Sequence, residues 1–274
     1  MRHRSVGALL VFAVLQGWAL SREPVQAAVP PAGVDVDLYG ATPTMAWAPD
    51  SRRVAVSAAY RYYGDESNLE QNRASLGVYV VDAASGRKLK LSTEQGYHPL
   101  WLDASTVAWG LSHYEDGTPG IFVSGADAPA PVRLGSIQSA HHTRLAKGGG
   151  VLFFDPDGGW SVADRATGKA TAIAGSERDS WHAPDDRVVD QCLQKSGDAR
   201  LVKGATDAEG WMLQVGVVRS ALSPQPYIFG AGDDFLPPEH RGPVRGCLSP
   251  DGKQVASFSA TKDGAFRLSI RPVL

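Results

Sequence analysis

Two ten-residue segments near opposite ends of the chain match each other, and they constrain the fold more than any other feature. The segments are WAPDSRRVAV at 47–56 and CLSPDGKQVA at 247–256. In each, Pro and Asp open a tight turn and a basic residue leads into a β-branched run, which predicts strand, turn, strand. Diverged copies occur at 101–110, 144–154 and 192–202. Such repetition indicates a fold built from copies of one supersecondary unit.

A second motif also recurs, as VYVVDAASGRKLKL at 78–91 and WSVADRATGKATAI at 160–173. Here a strand ends near an Asp, the chain turns through Ser-Gly or Thr-Gly, and another strand follows. Together the two motifs predict a unit of four short strands that repeats about every 45 to 55 residues. The predicted strands are 43–48, 53–59, 77–81 and 87–91; 99–102, 106–111, 120–124 and 131–134; 143–146, 151–155, 160–163 and 170–174; 188–193, 200–203, 211–218 and 225–229; 244–248, 254–259 and 265–271.

The fifth unit lacks its fourth strand, and the N-terminal segment Val34–Leu38 supplies a candidate for it. Its sequence, VDVDL, alternates apolar and acidic residues, as a half-buried strand does. Pairing of this segment with 265–271 would close the ring and remove an exposed sheet edge. The expected fold class is therefore all-β, a five-bladed β-propeller that occupies 34–274 as a single domain.

The repeats resemble the WD40-like repeat of TolB and of the propeller domains of prolyl-oligopeptidase-type peptidases. The resemblance is carried by WAPDSRRVAV, CLSPDGKQVA and VYVVDAASGRKL. It implies a TolB-like propeller, and it suggests a partner in an envelope complex. Because the motif residues are structural, the resemblance says little about activity. The nucleophile motif of the peptidases, G-x-S-x-G, does not occur, since its nearest match at 159–163 ends in Ala163.

The N-terminus has the pattern of an export signal. Met1–Arg4 is basic, Val6–Leu20 is apolar, and small residues precede a cut after Ala27. We therefore predict a signal peptide at 1–27, a short linker at 28–33, and a periplasmic or secreted protein without stable membrane insertion. An uncleaved anchor is the alternative. The net charge of −2 gives no indication of nucleic-acid binding.

The two cysteines, Cys192 and Cys247, fall at matching places in the predicted first strands of the fourth and fifth units. An oxidising compartment permits a disulfide between them. A bridge requires Cα atoms within about 7 Å. The alternative is a pair of small buried hydrophobic residues.

Long connections gather on one face of the predicted propeller, at 60–76, 175–187 and 230–242. Rigid scaffolds place recognition on their loops, so this face is the predicted binding surface for a protein partner or a small ligand. Its many carboxylates favour a basic peptide, a cationic ligand or a metal. The candidate binding residues are Tyr60, Tyr62, Tyr63, His98, His113, His141, Asp233, Asp234 and His240. Alternatively, polar residues merely collect in long loops.

His98 and His141 align when the second and third units are superposed, which makes them weak candidates for metal ligands. No cofactor motif occurs, and none is expected. The predicted function is a non-catalytic binding or scaffold protein. The alternative is a five-bladed glycoside hydrolase or lyase, which needs two carboxylates about 5 to 10 Å apart. Asp190 is the one acidic residue centred in a predicted first strand.

Overall fold

The structure is a computed structural model, and the residues that it describes lie in the region of the predicted repeats. All of the described residues belong to one compact unit, Pro31–Leu274. The described residues are 33–40, 43–59, 73–111, 117–155, 157–181, 191–229, 242–261 and 265–273.

Short β-strands dominate these residues, with 3-10 helices at Arg73–Ser75, Lys147–Gly149 and Gly175–Trp181. In chain order the strands are β1 (Val34–Tyr39), β2 (Thr44–Trp47), β3 (Arg53–Ala58), β4 (Gly77–Asp82), β5 (Lys88–Lys90), β6 (Tyr97–Asp103), β7 (Thr106–Leu111), β8 (Gly120–Gly125), β9 (Val132–Arg133), β10 (His141–Leu145), β11 (Val151–Asp155), β12 (Gly159–Ala163), β13 (Ala170–Ala172), β14 (Lys195–Ser196), β15 (Ala199–Lys203), β16 (Trp211–Val215), β17 (Val218–Ala221), β18 (Ile228–Phe229), β19 (Gly242–Pro243), β20 (Cys247–Leu248), β21 (Gln254–Ala260) and β22 (Ala265–Pro272).

The strands form five four-stranded antiparallel sheets within the described ranges. The first sheet is β2-β3-β4-β5, the second β6-β7-β8-β9, the third β10-β11-β12-β13 and the fourth β14-β15-β16-β17. The fifth is β20-β21-β22-β1, and a two-stranded sheet joins β18 to β19. This all-β arrangement of four-stranded antiparallel units is consistent with a β-propeller.

The fourth sheet differs from its sequence prediction at three places. Its first strand is β14, later than the predicted 188–193. The predicted strand 211–218 is interrupted by a turn at Gly216, where φ is +56°, so that β16 and β17 form a hairpin. The predicted last strand, 225–229, instead supplies β18, which pairs with β19. The run WMLQVGVV is mostly apolar, so its hydrophobicity does not reveal the turn within it. The turn depends on the left-handed conformation of Gly216, which glycine adopts without a steric penalty.

The repeated Asp motif folds in the same way at both of its occurrences. One carboxylate oxygen of Asp82 accepts hydrogen bonds from the backbone N–H of Ser85, at 2.8 Å, and from its hydroxyl, at 2.6 Å. Asp164 accepts the same pair of bonds from Thr167, at 2.8 and 2.7 Å. The glycine that follows has a positive φ in both turns. The motif therefore forms a hydrogen-bonded turn that places the last two strands of a sheet side by side.

The N-terminal strand β1 lies antiparallel to the last strand β22, in continuous register from Val34 opposite Ile270 to Tyr39 opposite Ala265. Its apolar positions Val36 and Leu38 are buried, whereas the two aspartates between and before them face outward. This is the alternation that the sequence VDVDL predicts.

Buried clusters lie between successive sheets. One cluster packs the fifth sheet on the first around Trp47, Phe258 and Phe266. Another packs the first sheet on the second around Trp101 and Trp109. Further clusters join the second sheet to the third and the fourth to the fifth. Side-chain packing between sheet faces therefore provides the core of the described residues.

Candidate functional site

One cavity of about 670 Å³ is lined by residues of four sheets and of the segment that precedes the fourth sheet. In the first, second, third and fifth sheets the lining comes mainly from the first strand or from the residues next to it. These residues are Pro43, Thr44, Met45, Ala46, His98, Pro99, Leu100, Thr143, Arg144, Leu145, Gln191, Cys192, Gln194, Val244, Arg245 and Cys247, with Phe258 from β21. A volume of this size is typical of small-molecule sites.

Two tryptophans form hydrogen bonds between neighbouring sheets at the cavity wall. The indole N–H of Trp101 donates to the carbonyl of Ala46 at 3.0 Å, which ties the second sheet to the first. The indole N–H of Trp47 donates to the carbonyl of Cys247 at 3.1 Å, which ties the first sheet to the fifth. Both tryptophans are fully buried. The same contact therefore recurs at two successive sheet junctions.

A segment before the fourth sheet, Gln191–Gln194, reaches both sides of the cavity, and we call it the linking segment. The side chain of Gln191 accepts from the N–H of Trp101 at 2.8 Å and donates to its carbonyl at 2.7 Å. The carbonyl of Gln191 accepts from the N–H of Trp47 at 2.7 Å. Leu193 exchanges backbone hydrogen bonds with Leu248. The linking segment therefore joins the first, second and fifth sheets.

Cys192 and Cys247 form a disulfide within this wall, with their Cα atoms 4.5 Å apart. The bond connects the linking segment to the fifth sheet across 55 residues of sequence. The amide of Gln194 donates to the carbonyl of Cys192 at 3.2 Å, beside the bridge. The linking segment is thus held by covalent and hydrogen bonds together.

His98 and His142 occupy matching β-bulges in the second and third sheets. The pairing steps from Tyr97 to Leu100 and from His141 to Arg144, so each strand carries one residue more than its partner. Both histidines have left-handed backbones, with φ of 47° and 48°. Their rings lie 4.9 Å apart between centroids. Left-handed non-glycine residues are uncommon and often mark functional positions.

Hydrogen bonds hold this histidine pair in place. The N–H of His98 donates to the hydroxyl of Thr44 at 3.1 Å, and the hydroxyl of Thr143 donates to the carbonyl of His98 at 2.5 Å. These contacts link the first, second and third sheets at the cavity wall. Burial and the neighbouring charge of Arg144 lower the pKa of His142, which favours the neutral imidazole.

The charged groups among the described lining residues are Arg144 and Arg245. Nη1 of Arg144 donates to the carbonyl of Thr143 at 3.0 Å. The guanidinium of Arg245 lies over the ring of Trp211, 5.1 Å from its centroid. No carboxylate lines the cavity within the described part of the chain. The described wall is therefore cationic, and most of the carboxylates behind the acidic character expected from the sequence lie outside the described residues.

Most of the predicted site residues fall outside the described residues, so their predictions stay untested. These are Tyr60, Tyr62, Tyr63, His113, Asp233, Asp234 and His240. The signal peptide at 1–27, and Asp190, lie outside them too. His98 lines the cavity as described above. His141 is opposite Phe154 in β10, and only its backbone is described.

The alignment of His98 with His141 is wrong, because strand register equates His98 with His142. Both strands carry the same bulge, with Tyr97 in the place of His141 and Leu100 in the place of Arg144, and this register is set by pairing with the next strand. Sequence reasoning also missed Arg144, Arg245 and Gln191 as lining residues.

Comparisons with known proteins find similarity at the level of solved structures. No protein-family model matches the chain, and no curated protein matches it. Similar solved structures are oligogalacturonate lyase in complex with manganese (12% identity, TM-score 0.37) and TolB from Acinetobacter baumannii (16%, 0.37). Another is the extracellular domain of a hybrid two-component system from B. thetaiotaomicron (11%, 0.35).

TolB, whose repeat the sequence resembles, is thus among the similar structures. Each alignment covers 84% of this chain but only 65%, 54% and 28% of the respective solved chains. The chain therefore spans less than two thirds of the length of each. At these identities and TM-scores the similarity carries no functional assignment.

Neither a membrane span nor a metal cluster is found among the described residues. No helix among them has the length and apolar character needed to span a bilayer. No group of three or more His, Cys, Asp or Glu side chains in the same ranges is placed to hold a metal ion.

Proposed function

We propose that the chain is an exported, TolB-like five-bladed β-propeller that binds a small ligand in the cavity and has no catalytic activity. The observation that carries this proposal is the cavity that four sheets and the linking segment before the fourth sheet line together. Pairing of β1 with β22 would close the ring of five blades, and the Trp47 hydrogen bond to Cys247 supports that closure.

The character of the lining supports ligand binding. Apolar side chains such as Met45, Leu100 and Val244 are interspersed with polar groups from Thr44 and Gln194. Ligand sites typically combine a mainly apolar wall with a few polar groups that fix orientation. Hydrogen bonds between neighbouring sheets preorganise this wall, so that little ordering is needed when a ligand binds.

The test is a thermal-shift screen of neutral, anionic and cationic small molecules on the wild-type protein and on Met45→Trp. Met45 lines the cavity, and the larger side chain is expected to fill part of it. Met212→Trp is the matched control, because Met212 is also half-buried but lies in β16, outside the lining. We expect some compounds to stabilise the wild type and Met212→Trp but not Met45→Trp. The proposal fails if no compound distinguishes these variants.

Export is the second part of the proposal. We expect cleavage after Ala27, followed by periplasmic or secreted location. N-terminal sequencing of the protein recovered from a bacterial host tests this directly. A mature protein that still begins at Met1 would support the uncleaved anchor instead.

A second candidate function is a propeller lyase or glycoside hydrolase that acts in the same cavity. The paired histidines favour it, since His98 lines the cavity and His142, 4.9 Å from it between ring centroids, is kept neutral by its lowered pKa and is able to take up a proton. Product formation from a panel of neutral and acidic polysaccharides tests this candidate. Activity that His142→Gln abolishes while the fold is retained would support the enzyme over the binding protein.

A further inference from the structure

The charges in the cavity wall indicate which class of ligand it takes. Arg144 and Arg245 both line the cavity, and the described lining residues include no Asp or Glu. In a concave site, charges of one sign concentrate the opposite charge, although solvent partly screens these two arginines because both are exposed. Burial and, after it, the nearby charge of Arg144 lower the pKa of His142, so the positive charge accounts for part of that shift.

The two guanidiniums are positioned by contacts with their neighbours. Arg245 stacks on the ring of Trp211, and the indole N–H of Trp211 donates to the carbonyl of Pro243 at 3.1 Å. Arg144 is anchored by its hydrogen bond to the carbonyl of Thr143. A guanidinium that is held on an aromatic face keeps its planar edge for oxyanions. Carboxylates and phosphates match the fork geometry of that edge.

The remaining lining indicates a ligand with a carbon skeleton as well as charge. Pro43, Met45, Leu100 and Val244 provide apolar surface, and Thr44 and Thr143 provide hydroxyl groups. The volume of about 670 Å³ exceeds what a lone inorganic anion needs.

Resting on the proposed binding function, we propose that the cavity selects small organic oxyanions, with Arg144 and Arg245 as the charged contacts. Both carboxylates and phosphates share the required chemistry. The anionic group lies against the two arginines, and the carbon skeleton lies against the apolar wall.

The test uses three probes with the same carbon skeleton: glucose, gluconate and glucose 6-phosphate. Tryptophan fluorescence and calorimetry at constant ionic strength follow their binding to the full-length mature protein. We expect gluconate, glucose 6-phosphate or both to bind, and glucose to bind more weakly. The two anions distinguish a carboxylate site from a phosphate site.

Substitutions of the two lining arginines test whether the anions bind in the cavity. Charge-assisted hydrogen bonds contribute enough that Arg144→Gln/Arg245→Gln should weaken anion binding roughly ten- to hundredfold. Arg200→Gln is the matched control, because Arg200 is an exposed residue of β15 that does not line the cavity. It should bind as the wild type does. Circular dichroism and thermal unfolding establish that each variant is folded.

Three results would overturn the inference. They are equal binding of glucose and its anionic relatives, no binding of either anion at millimolar concentration, and anion binding that the double variant leaves unchanged. These results are distinguishable from failure of the proposed function. If neutral or cationic compounds still separate the wild type from Met45→Trp, the cavity binds ligands but the inferred charge selectivity is wrong.

Discussion

The junction between the fifth and first sheets and the attachment of the fourth sheet use different kinds of interaction. At the fifth-to-first junction Trp47, Phe258 and Phe266 are each at most 2% exposed and form one continuous cluster. The backbone N–H of Asp251 also donates to the hydroxyl of Ser51 at 3.0 Å, which joins the repeated turns of the two sheets.

The fourth sheet has a thinner core. Its buried leucines Leu201 and Leu213 each retain 8% exposure, its edge strand β17 is exposed throughout, and Val217 in the preceding turn is 97% exposed. Its attachment to the other sheets includes the linking segment, with the disulfide and the Gln191 hydrogen bonds. Well-preserved repeats are thus joined by extensive packing, whereas the diverged repeat combines a smaller buried cluster with a few specific bonds.

The largest expected effect comes from the well-packed junction. Trp47→Ala should destabilise the protein by about 3–5 kcal/mol, because it removes a fully buried indole and leaves a cavity. Urea denaturation measures the loss. Leu213→Ala in β16 is the comparison, since Leu213 belongs to the thinner core of the fourth sheet and should lose less. Equal losses at both positions would contradict the difference between the two regions.

Removal of the disulfide should have the next largest effect. Cys192→Ala/Cys247→Ala should lower the free energy of unfolding by about 2–4 kcal/mol, because the bridge restricts the unfolded chain. Reduction of the wild type should reproduce this loss, and the double variant should not respond to reductant. Two free thiols titrated in denaturant from purified protein would rule out the bridge.

The Gln191 side chain should contribute less. Gln191→Leu deprives the backbone N–H and carbonyl of Trp101 of their partners, and unsatisfied groups of this kind cost about 1–3 kcal/mol. Gln138→Leu is the control, because Gln138 is exposed and its hydrogen bonds are at the surface. If the two variants unfold at the same denaturant concentration, Gln191 does not hold the fourth sheet in place.

The smallest effect is electrostatic and belongs to the β1–β22 pair. Hydrogen bonding by Arg267 lowers the pKa of Asp37. Burial opposes a lowered pKa at Asp35, but hydrogen bonds from Ser269 and Arg271 outweigh it. Because both folded-state pKa values lie below the unfolded value of about 3.8, the carboxylates stabilise the protein above that pH. That contribution is lost as the pH falls through the lowered values.

Asp35→Asn/Asp37→Asn should therefore flatten the decline in stability below about pH 4, with little change in the fold. The effect is small because solvent screens these exposed pairs. Thermal unfolding as a function of pH measures it. Asp207→Asn, which removes an exposed ion pair with Lys203 in the fourth sheet, is the control. An unchanged acid profile in the double variant would show that these ion pairs do not contribute.

The sequence by itself determined the repeating unit, the order of most strands and the strand that pairs with the last one. Tight turns and alternating burial depend on local residue types, so Asp82, Asp164 and the VDVDL segment were informative without any structure. The cysteine pair was also a visible candidate, since repeat alignment places both residues at matching positions.

Tertiary structure decided the cavity and its charges. Whether His98 matches His141 or His142 depends on which residues pair with the second strand of each sheet, and sequence spacing does not fix that register. The linking segment is held at the cavity because Gln191 forms hydrogen bonds with Trp47 and Trp101, which are far away in the sequence. Local pattern specifies strands and turns, whereas the convergence of Arg144 and Arg245 on one cavity arises only when the sheets pack together.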